Sequence, residues 1–343
     1  TNNRSLTTHR LRENGGHMPK TVILSDCHFG YAGFNEREFS RFLRHLRREG
    51  DEIRLVLLGD VFDLWRADPV SSISFAHKYL QKLHEISDDI WYILGNHDYH
   101  NRVSWPTRDK EGSFLGMKAC YPYLVLDKDI FLVHGDYFDI HTFKVAEKAI
   151  YAVYETIYHM DKSALASLED YFWNPIDLLK KKLESFRLPL VTAEGQPPAT
   201  YLATVNLLNP DEVDELKRGL DYLSKNPSLA VQMFVPTSMR ANMSEELPLL
   251  LSPEELRSVD TSPVRTVLSE RNLVELAREI SGKQGIRKVI YGHTHKAENR
   301  SSKGCWNTGS WVDAESTFCE IEEGQVNVYR FKRGRKTTIP EPK

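Results

Sequence analysis

The sequence lacks several features that define specialised classes of protein. Its four cysteines are scattered without a CxxC pair, which favours free thiols in a reducing compartment, and hence a cytoplasmic location, over a disulfide framework. No stretch approaches the roughly twenty apolar residues of a membrane-spanning helix. With a formal net charge of −3, the chain gives no global electrostatic reason to expect binding to nucleic acid or to an anionic membrane.

The composition is that of an ordinary globular protein with ample material for a buried core. Of the 343 residues, 41% are hydrophobic and 27% are charged, so neither disulfides nor a structural metal is needed for folding. Residues 1–18 are polar, and we expect them to be a disordered leader or tag. A basic run at Arg41, Arg44, Arg47 and Arg48 is typical of a solvated helix face.

Buried strands alternate with helices in the first third of the chain. Apolar runs at 21–24, 53–58 and 90–94 predict strands, and each is followed at once by polar residues. Apolar residues at helical spacing in 35–49 and 71–86 predict two helices between them. Because sites in α/β sheets lie at the carboxyl ends of the strands, we expect the polar clusters to meet there.

The rest of the chain predicts a large insertion followed by a return to the core. Strands are predicted at 123–126, 130–133, 289–291, 316–320 and 326–331. The segment from 142 to about 284 has no polar signature cluster, begins with helical spacing and carries many prolines, so we interpret it as a helical cap. The predicted organisation is a core of 19–141 and 286–334, interrupted by the cap at 142–285 and followed by a tail at 335–343.

Five polar clusters contain residues that bind metals or move protons. They are Asp26 with His28, Asp60 with Asp63, Asn96 with His97 and Asp98, His134, and His293 with His295. In an extended segment residues i and i+2 point to the same side, so Asp26 and His28 can converge on one centre. Carboxylate, imidazole and amide ligands suit Mn²⁺, Fe or Zn²⁺, and Asp60 has two oxygens that could bridge two ions about 3.5–4 Å apart. Cys27, on the opposite side of the strand, is expected in the core.

These clusters resemble the calcineurin-like metallophosphoesterase superfamily, whose pattern runs D-x-H, GD-x-x-D, GNH(D/E), H and G-H-x-H. Every block is present here. The resemblance implies an α+β fold of four layers (αββα), in which a two-sheet β-sandwich is flanked by helices and carries two metals at the strand ends. It also implies the ligands: Asp26, His28, Asp60 and His295 for the first metal, and Asp60, Asn96, His134 and His293 for the second. His97 would instead donate a hydrogen bond or a proton to the phosphate or the leaving oxygen, with Asp63 or Asp98 orienting its ring.

Within the superfamily, the chain is most similar to the UDP-2,3-diacylglucosamine pyrophosphatase group. The supporting residues include the GDVFDLW run that ends at Trp65 and the NTGSWV run around Trp311. Those enzymes also carry a helical insertion before the last histidine pair. The chain departs from them in having His97 where the best-known members have Arg, and in its much longer insertion, so the substrate stays open.

The first functional hypothesis is a hydrolase that uses Mn²⁺, with Fe or Zn²⁺ as alternatives, to cleave a phosphorylated small-molecule or lipid-linked diphosphate. Apolar patches of the cap, such as Phe172 with Trp173, could line an acyl groove or touch a membrane peripherally, although ordinary core packing is the simpler interpretation. A DNA nuclease and a cyclic-nucleotide phosphodiesterase are alternatives; the nuclease would need a basic track, which the near-neutral charge does not favour. A non-catalytic scaffold is disfavoured because every ligand position is filled.

Overall fold

The computed structural model describes residues 19–49, 52–65, 67, 69–104, 111–143 and 272–342. The chain divides into two compact units, one of Thr1–Asp139 with Val267–Lys343 and one of Ile140–Thr266. All but a few of the described residues belong to the first unit. The predicted leader and almost all of the predicted cap lie outside the described residues. Within the described ranges, no helix is long and apolar enough to cross a membrane.

The larger of two sheets has eight strands in the order β13-β12-β11-β1-β2-β3-β5-β4. Its centre is parallel, from β1 through β2 and β3 to β5, and antiparallel strands extend it on both sides. The central strands β1 and β2 are buried along their whole length, as their continuous apolar runs predict. The strands are β1 Lys20–Leu24, β2 Ile53–Leu58, β3 Asp89–Ile93, β4 Glu111–Phe114, β5 Met117–Cys120, β11 Thr317–Glu322, β12 Gln325–Lys332 and β13 Arg335–Thr338.

The smaller sheet has five strands in the order β6-β7-β8-β10-β9. The first two form the predicted hairpin, and β8 pairs in parallel with both β7 and β10. The strands are β6 Tyr123–Leu126, β7 Ile130–Val133, β8 Lys288–Tyr291, β9 Glu298–Arg300 and β10 Cys305–Asn307.

The two sheets pack face to face around one apolar cluster. Ile23 of the larger sheet shares this cluster with Leu132 and Ile290 of the smaller one. Phe131 and Val289, their neighbours along the same strands, face the opposite way and pack against helix α4 (Leu273–Ser281). This alternation follows from the period of two along a strand.

Helices cover the outer face of the larger sheet as well. Helix α1 (Glu36–Glu49) precedes β2 and α2 (Pro69–His84) precedes β3, whereas α3 (Asp136–Phe143) follows β7 and packs its Phe138 against the outer face of the smaller sheet. The Phe42 ring of α1 lies 4.7 Å from that of Phe318 and 4.9 Å from that of Trp311, between ring centroids. Since Cys319, next to Phe318, faces the inter-sheet cluster, the layers run helix, sheet, sheet, helix. The predicted αββα sandwich is confirmed.

Five short strands escaped the sequence analysis, and all of them lie at or near the sheet edges. β9 reads Glu-Asn-Arg and β13 reads Arg-Lys-Thr-Thr, so neither shows apolar alternation. β13 lies in the segment predicted as a tail and pairs with β12. β4, β5 and β10 have three or four residues each, too few for a periodic signal.

A buried ion cluster ties α1 and β13 to the start of β1. Lys20 Nζ lies 2.7 Å from Glu49 Oε2 and 2.9 Å from Glu320 Oε1, and Lys336 Nζ lies 2.8 Å from Glu320 Oε2. Burial opposes the charge of Lys20, but its hydrogen bonds to the two glutamates outweigh that cost and raise its pKa.

Replacing Lys20 by methionine should lower the free energy of unfolding by about 2 kcal/mol, because two charged hydrogen bonds are lost beside buried Glu320. Urea unfolding followed by circular dichroism measures this. The control is Lys118→Met: Lys118 is exposed and pairs with Asp89, so its loss should cost no more than about 0.5 kcal/mol. Equal losses in the two variants would show that the cluster contributes nothing beyond a surface pair.

Candidate metal centre

The loops that follow the strands are joined to one another by backbone hydrogen bonds. Asp26 N donates to Gly59 O at 3.1 Å, which links the loop after β1 to the loop after β2. Gly292 N donates to His134 O at 2.8 Å, which links the loops after β8 and β7. His293 N donates to Asp26 Oδ2 at 3.0 Å, so the polar clusters of the two sheets meet at one end of the sandwich, as predicted.

The backbone at the candidate ligands is left-handed, not extended. The φ angles are positive at five of the seven candidate ligands: Asp26 (52°), His28 (48°), Asp60 (50°), His293 (71°) and His295 (57°). The side chains do converge, but the physical reason expected from an extended i, i+2 pair was wrong. Left-handed steps at alternate positions turn each loop tightly, a strained conformation that persists where surrounding contacts impose it.

One set of donor atoms is formed by Asp26, His28 and His295, all within 4.8 Å of one another. The Nε2 atoms of the two histidines lie 3.1 Å apart. His295 Nε2 also lies 3.2 Å from Asp26 Oδ1, which accepts no hydrogen bond from any residue that the structure describes. Two imidazole nitrogens and a carboxylate oxygen that lie this close together, with no hydrogen bond to the carboxylate oxygen, are suited to a shared cation.

A second set is formed by Asp60, His134 and His293. His134 Nδ1 donates to Leu58 O at 3.0 Å, which leaves Nε2, 3.2 Å from Asp60 Oδ2, as the ring nitrogen that could bind a cation. Buried Asn96 Oδ1 accepts no hydrogen bond within the described ranges, as expected of an amide ligand.

Asp60 connects the two sets. Its Oδ2 lies 3.2 Å from His134 Nε2 and 3.8 Å from His28 Nε2, and its Oδ1 accepts a hydrogen bond from His97 N at 2.9 Å. Gly95 packs so closely that a Cβ there would lie 2.3 Å from Asp60 Oδ1, so glycine is required. The donor set and its burial fit two divalent cations, and Asp60 is placed where it could contact both.

His97 stands beside these sets and is held from three sides. Its Nδ1 lies 3.1 Å from Asp63 Oδ1, and the other oxygen of Asp63 lies 3.2 Å from His28 Nδ1. The Trp65 ring stacks on the His97 ring with centroids 4.2 Å apart, and the His28 ring meets it edge-on at 4.8 Å. Because Nδ1 is engaged by Asp63, proton exchange with a ligand falls to Nε2 of His97. The sequence analysis did not predict this contact between Trp65 and His97.

His28, Asp63 and His97 also place possible metal-binding atoms within 4.8 Å of one another. Their facing atoms are already joined through the two oxygens of Asp63. We therefore interpret this trio as a link between a metal ligand and the neighbouring imidazole.

The sequence matches the calcineurin-like phosphoesterase family over residues 19–297. The chain belongs to this family. Membership and the two ligand sets together indicate a dinuclear divalent metal site and metal-dependent hydrolysis of a phosphate ester.

No curated protein matches this phosphoesterase. Among solved structures, it is similar to a dimetal phosphatase from Danio rerio, with 11% identity, a TM-score of 0.40, and coverage of 95% of this chain and 100% of the other. It is also similar to a cold-active protein tyrosine phosphatase, with 13% identity, a TM-score of 0.38, and coverage of 94% and 79%.

In this phosphoesterase, Asp98 makes different contacts from those of Asp63. Its Oδ1 accepts from Gly95 N at 2.7 Å and its Oδ2 from Val61 N at 2.7 Å, so the carboxyl group joins the loops after β2 and β3. Burial, and next the charge of Asp60, raise the pKa of Asp98 to about 7. Of the two acids predicted to orient His97, the geometry brings Asp63 to the ring.

Burial and neighbouring charges shift the pKa values of the candidate ligands of this phosphoesterase in different directions. Burial lowers the pKa of His28 to about 4, so its imidazole is neutral at pH 7. Burial disfavours charge on Asp60, but the positive charges of His134 and His97 outweigh it and hold the pKa of Asp60 well below its usual range. Burial likewise disfavours protonation of His134, but Asp60 and then Asp26 raise its pKa well above the usual value.

Metal binding to this phosphoesterase should therefore release protons and weaken as the pH falls. The raised pKa means that His134 carries a proton at pH 7 in the metal-free protein, and this proton must leave before Nε2 binds a cation. Since the free protein holds more protons than the loaded one, affinity should fall by up to about tenfold per pH unit as acid is added. Calorimetric titration with Mn²⁺ in two buffers of different ionisation enthalpy tests this; identical heats would contradict it.

Proposed function

We propose that this phosphoesterase holds two divalent cations, with Mn²⁺ the first choice, and hydrolyses a phosphate ester or diphosphate between them. The proposed ligands are Asp26, His28, Asp60 and His295 for one ion, and Asp60, Asn96, His134 and His293 for the other. The observation that carries the proposal is the position of Asp60 between two sets of buried donors, with His97 held beside them.

Two bound cations would supply an activated water and neutralise charge on the phosphoryl oxygens. The chain itself supplies the proton for the leaving group. In the proposed step His97 Nε2 donates a hydrogen bond or proton to the leaving oxygen, while Asp63 holds Nδ1 and stabilises the charged imidazolium. Trp65 restricts the ring plane, so that Nε2 keeps one direction.

The proposed substrate is a diphosphate in a nucleotide-linked or lipid-linked molecule. Support comes from the sequence likeness to the UDP-2,3-diacylglucosamine pyrophosphatase group. A cytoplasmic location, with peripheral membrane contact through the cap, belongs to the same proposal. The cap residues that would select an acyl chain, such as Phe172 and Trp173, lie outside the described residues.

The experiment is to remove all metal, restore Mn²⁺, and compare hydrolysis of a UDP-sugar diphosphate, a phosphodiester and a phosphomonoester. Metal-dependent turnover fastest on the diphosphate is the expected result. Turnover of the diester alone would replace the proposed substrate with that of a nuclease or a cyclic-nucleotide phosphodiesterase. Absence of turnover on all three, with both metals bound, would contradict the proposed activity.

A further inference from the structure

A basic groove of about 1110 Å³ lies between α1 and the segments 314–316 and 330–334. Four arginines of α1 and three basic residues at 330, 332 and 333 line it, against two glutamates. The lining thus has a formal excess of five positive charges, while the whole chain has a net charge of −3. Positive charge is concentrated on this surface.

The arginines of α1 form a row. They are Arg37, Arg41, Arg44 and Arg48, at successive steps of four, three and four residues. Side chains at these spacings share one helix face, and eleven residues of helix rise about 16 Å. Cations on the β12 side face this row, so an elongated ligand would meet positive charge on both sides.

Most of these charges are available for a ligand. Glu38 pairs with Arg41, and Glu315 Oε2 lies 3.6 Å from Arg330 Nη2. The other five basic side chains of the lining are exposed, and none of them forms an ion pair with any residue in the described part of the chain. In the basic run, Arg44, Arg47 and Arg48 are exposed, as expected of a solvated helix face, and Arg47 pairs with Glu85 outside the groove.

The groove is separate from the metal centre. Asn35, at one end of the lining, donates its N–H to Trp311 O at 2.8 Å, and Trp311 N donates to Asp26 O at 3.1 Å. Trp311 is fully buried. A ligand in the groove therefore lies on the other side of Trp311 from the candidate metal ligand Asp26.

We propose that this groove binds a linear chain of phosphate groups. Guanidinium groups match phosphate oxygens with two parallel hydrogen bonds, and a row of them suits phosphates that follow one another. Phe331 is 1% exposed and the His45 side chain 29%, so the lining offers little aromatic surface for base stacking, and the phosphate groups would be the main contacts. The chain can be a single nucleic-acid strand or inorganic polyphosphate, which share this chemistry.

A lipid surface fits the groove less well. The groove is concave, whereas a bilayer presents a broad surface. The exposed large hydrophobic side chains among the described residues are Val70 and Leu115, and neither lines the groove. No lining side chain is thus placed to insert between lipids.

The test uses the full chain and a fluorescent twelve-residue oligothymidine, with fluorescence anisotropy as the readout and a gel to check that the probe stays intact. The double variant Arg44→Gln/Arg48→Gln should bind about tenfold or more weakly, and the slope of log affinity against log salt should flatten by about 1.4. The matched control is Arg47→Gln/Lys82→Gln, which removes the same charge outside the groove and should bind as the unaltered protein does.

Inorganic polyphosphate and vesicles containing phosphatidylserine are then added as competitors. Displacement by polyphosphate supports the proposal and shows that a row of phosphates suffices; its failure to displace a groove-dependent oligothymidine assigns the ligand to a phosphodiester strand. Equal weakening in both double variants, or no binding of oligothymidine or polyphosphate at about 50 mM salt, would overturn the proposal. Binding to the vesicles alone would overturn it as well.

Discussion

Replacing Asp60 by asparagine is expected to reduce metal-dependent hydrolysis by about 10³-fold or more and to remove at least one metal ion per chain. Asparagine keeps an oxygen for the hydrogen bond from His97 N, but it removes the negative charge that faces both His28 and His134. Losing several kcal/mol of charge stabilisation in the transition state corresponds to a rate loss of this size. Hydrolysis of a chromogenic phosphodiester and elemental analysis of the purified variant measure the two effects.

The matched control is Asp89→Asn. Asp89 is also a carboxylate of the larger sheet, but it stands at the start of β3 and pairs with Arg54 and Lys118. Its replacement should leave metal content and turnover within about twofold of the unaltered protein, because it lies at the end of the strand opposite the site. Retention of both metals and full turnover by Asp60→Asn would rule out the bridging role of Asp60.

Replacing His97 by glutamine should separate proton donation from metal binding. We expect hydrolysis of an ester with a poor leaving group to fall by about 10²–10⁴-fold, since the leaving oxygen then departs without a proton. An ester with a good leaving group, such as p-nitrophenol, needs no proton and should lose far less. Metal content should stay unchanged, because His97 belongs to the link through Asp63 and is not a proposed ligand.

Paired rate measurements on phenyl and p-nitrophenyl esters give this difference directly. His84→Gln is the control, because His84 lies at the end of α2 with its Nε2 3.1 Å from Leu115 O, outside the site. A similar loss on both esters would mean that His97 acts on the phosphate and not on the leaving group. A loss of metal would instead make His97 a ligand.

Much of the site could be predicted from the sequence because its residues lie in short motifs that directly follow predicted strands. Buried strands such as β2 appear in the sequence as apolar runs, and the polar residues follow directly at their ends. The same local pattern therefore predicts both the type of a site residue and its position at a strand end. The roles of Asp26, Asn96 and the histidines remain predictions that the variants above address. The polar edge strands could not be found in this way, since pairing with a neighbouring strand, and not their own composition, makes them strands.

The sequence also could not show which of the two acids, Asp63 or Asp98, contacts the His97 ring. Asp98 is the residue next to His97, whereas Asp63 lies 34 positions away, so proximity in the sequence does not indicate Asp63 as the partner of the ring. The folded loops do, because Asp63 meets the imidazole while Asp98 is occupied by backbone N–H groups. The same holds for Trp65, whose stacking on His97 depends on two different loops.

By itself, the sequence determined the candidate metal-binding groups and their position at strand ends, because these follow from local residue types and apolar runs, while its resemblance to the phosphoesterase family implied the sandwich that carries them. The tertiary structure decided how residues 267 positions apart, such as Asp26 and His293, come into contact. It also decided that left-handed turns aim the ligands, and that arginines from α1 and basic residues from β12 form one groove. The reason is physical: distances between distant segments are set by packing and strand pairing, which no local pattern encodes.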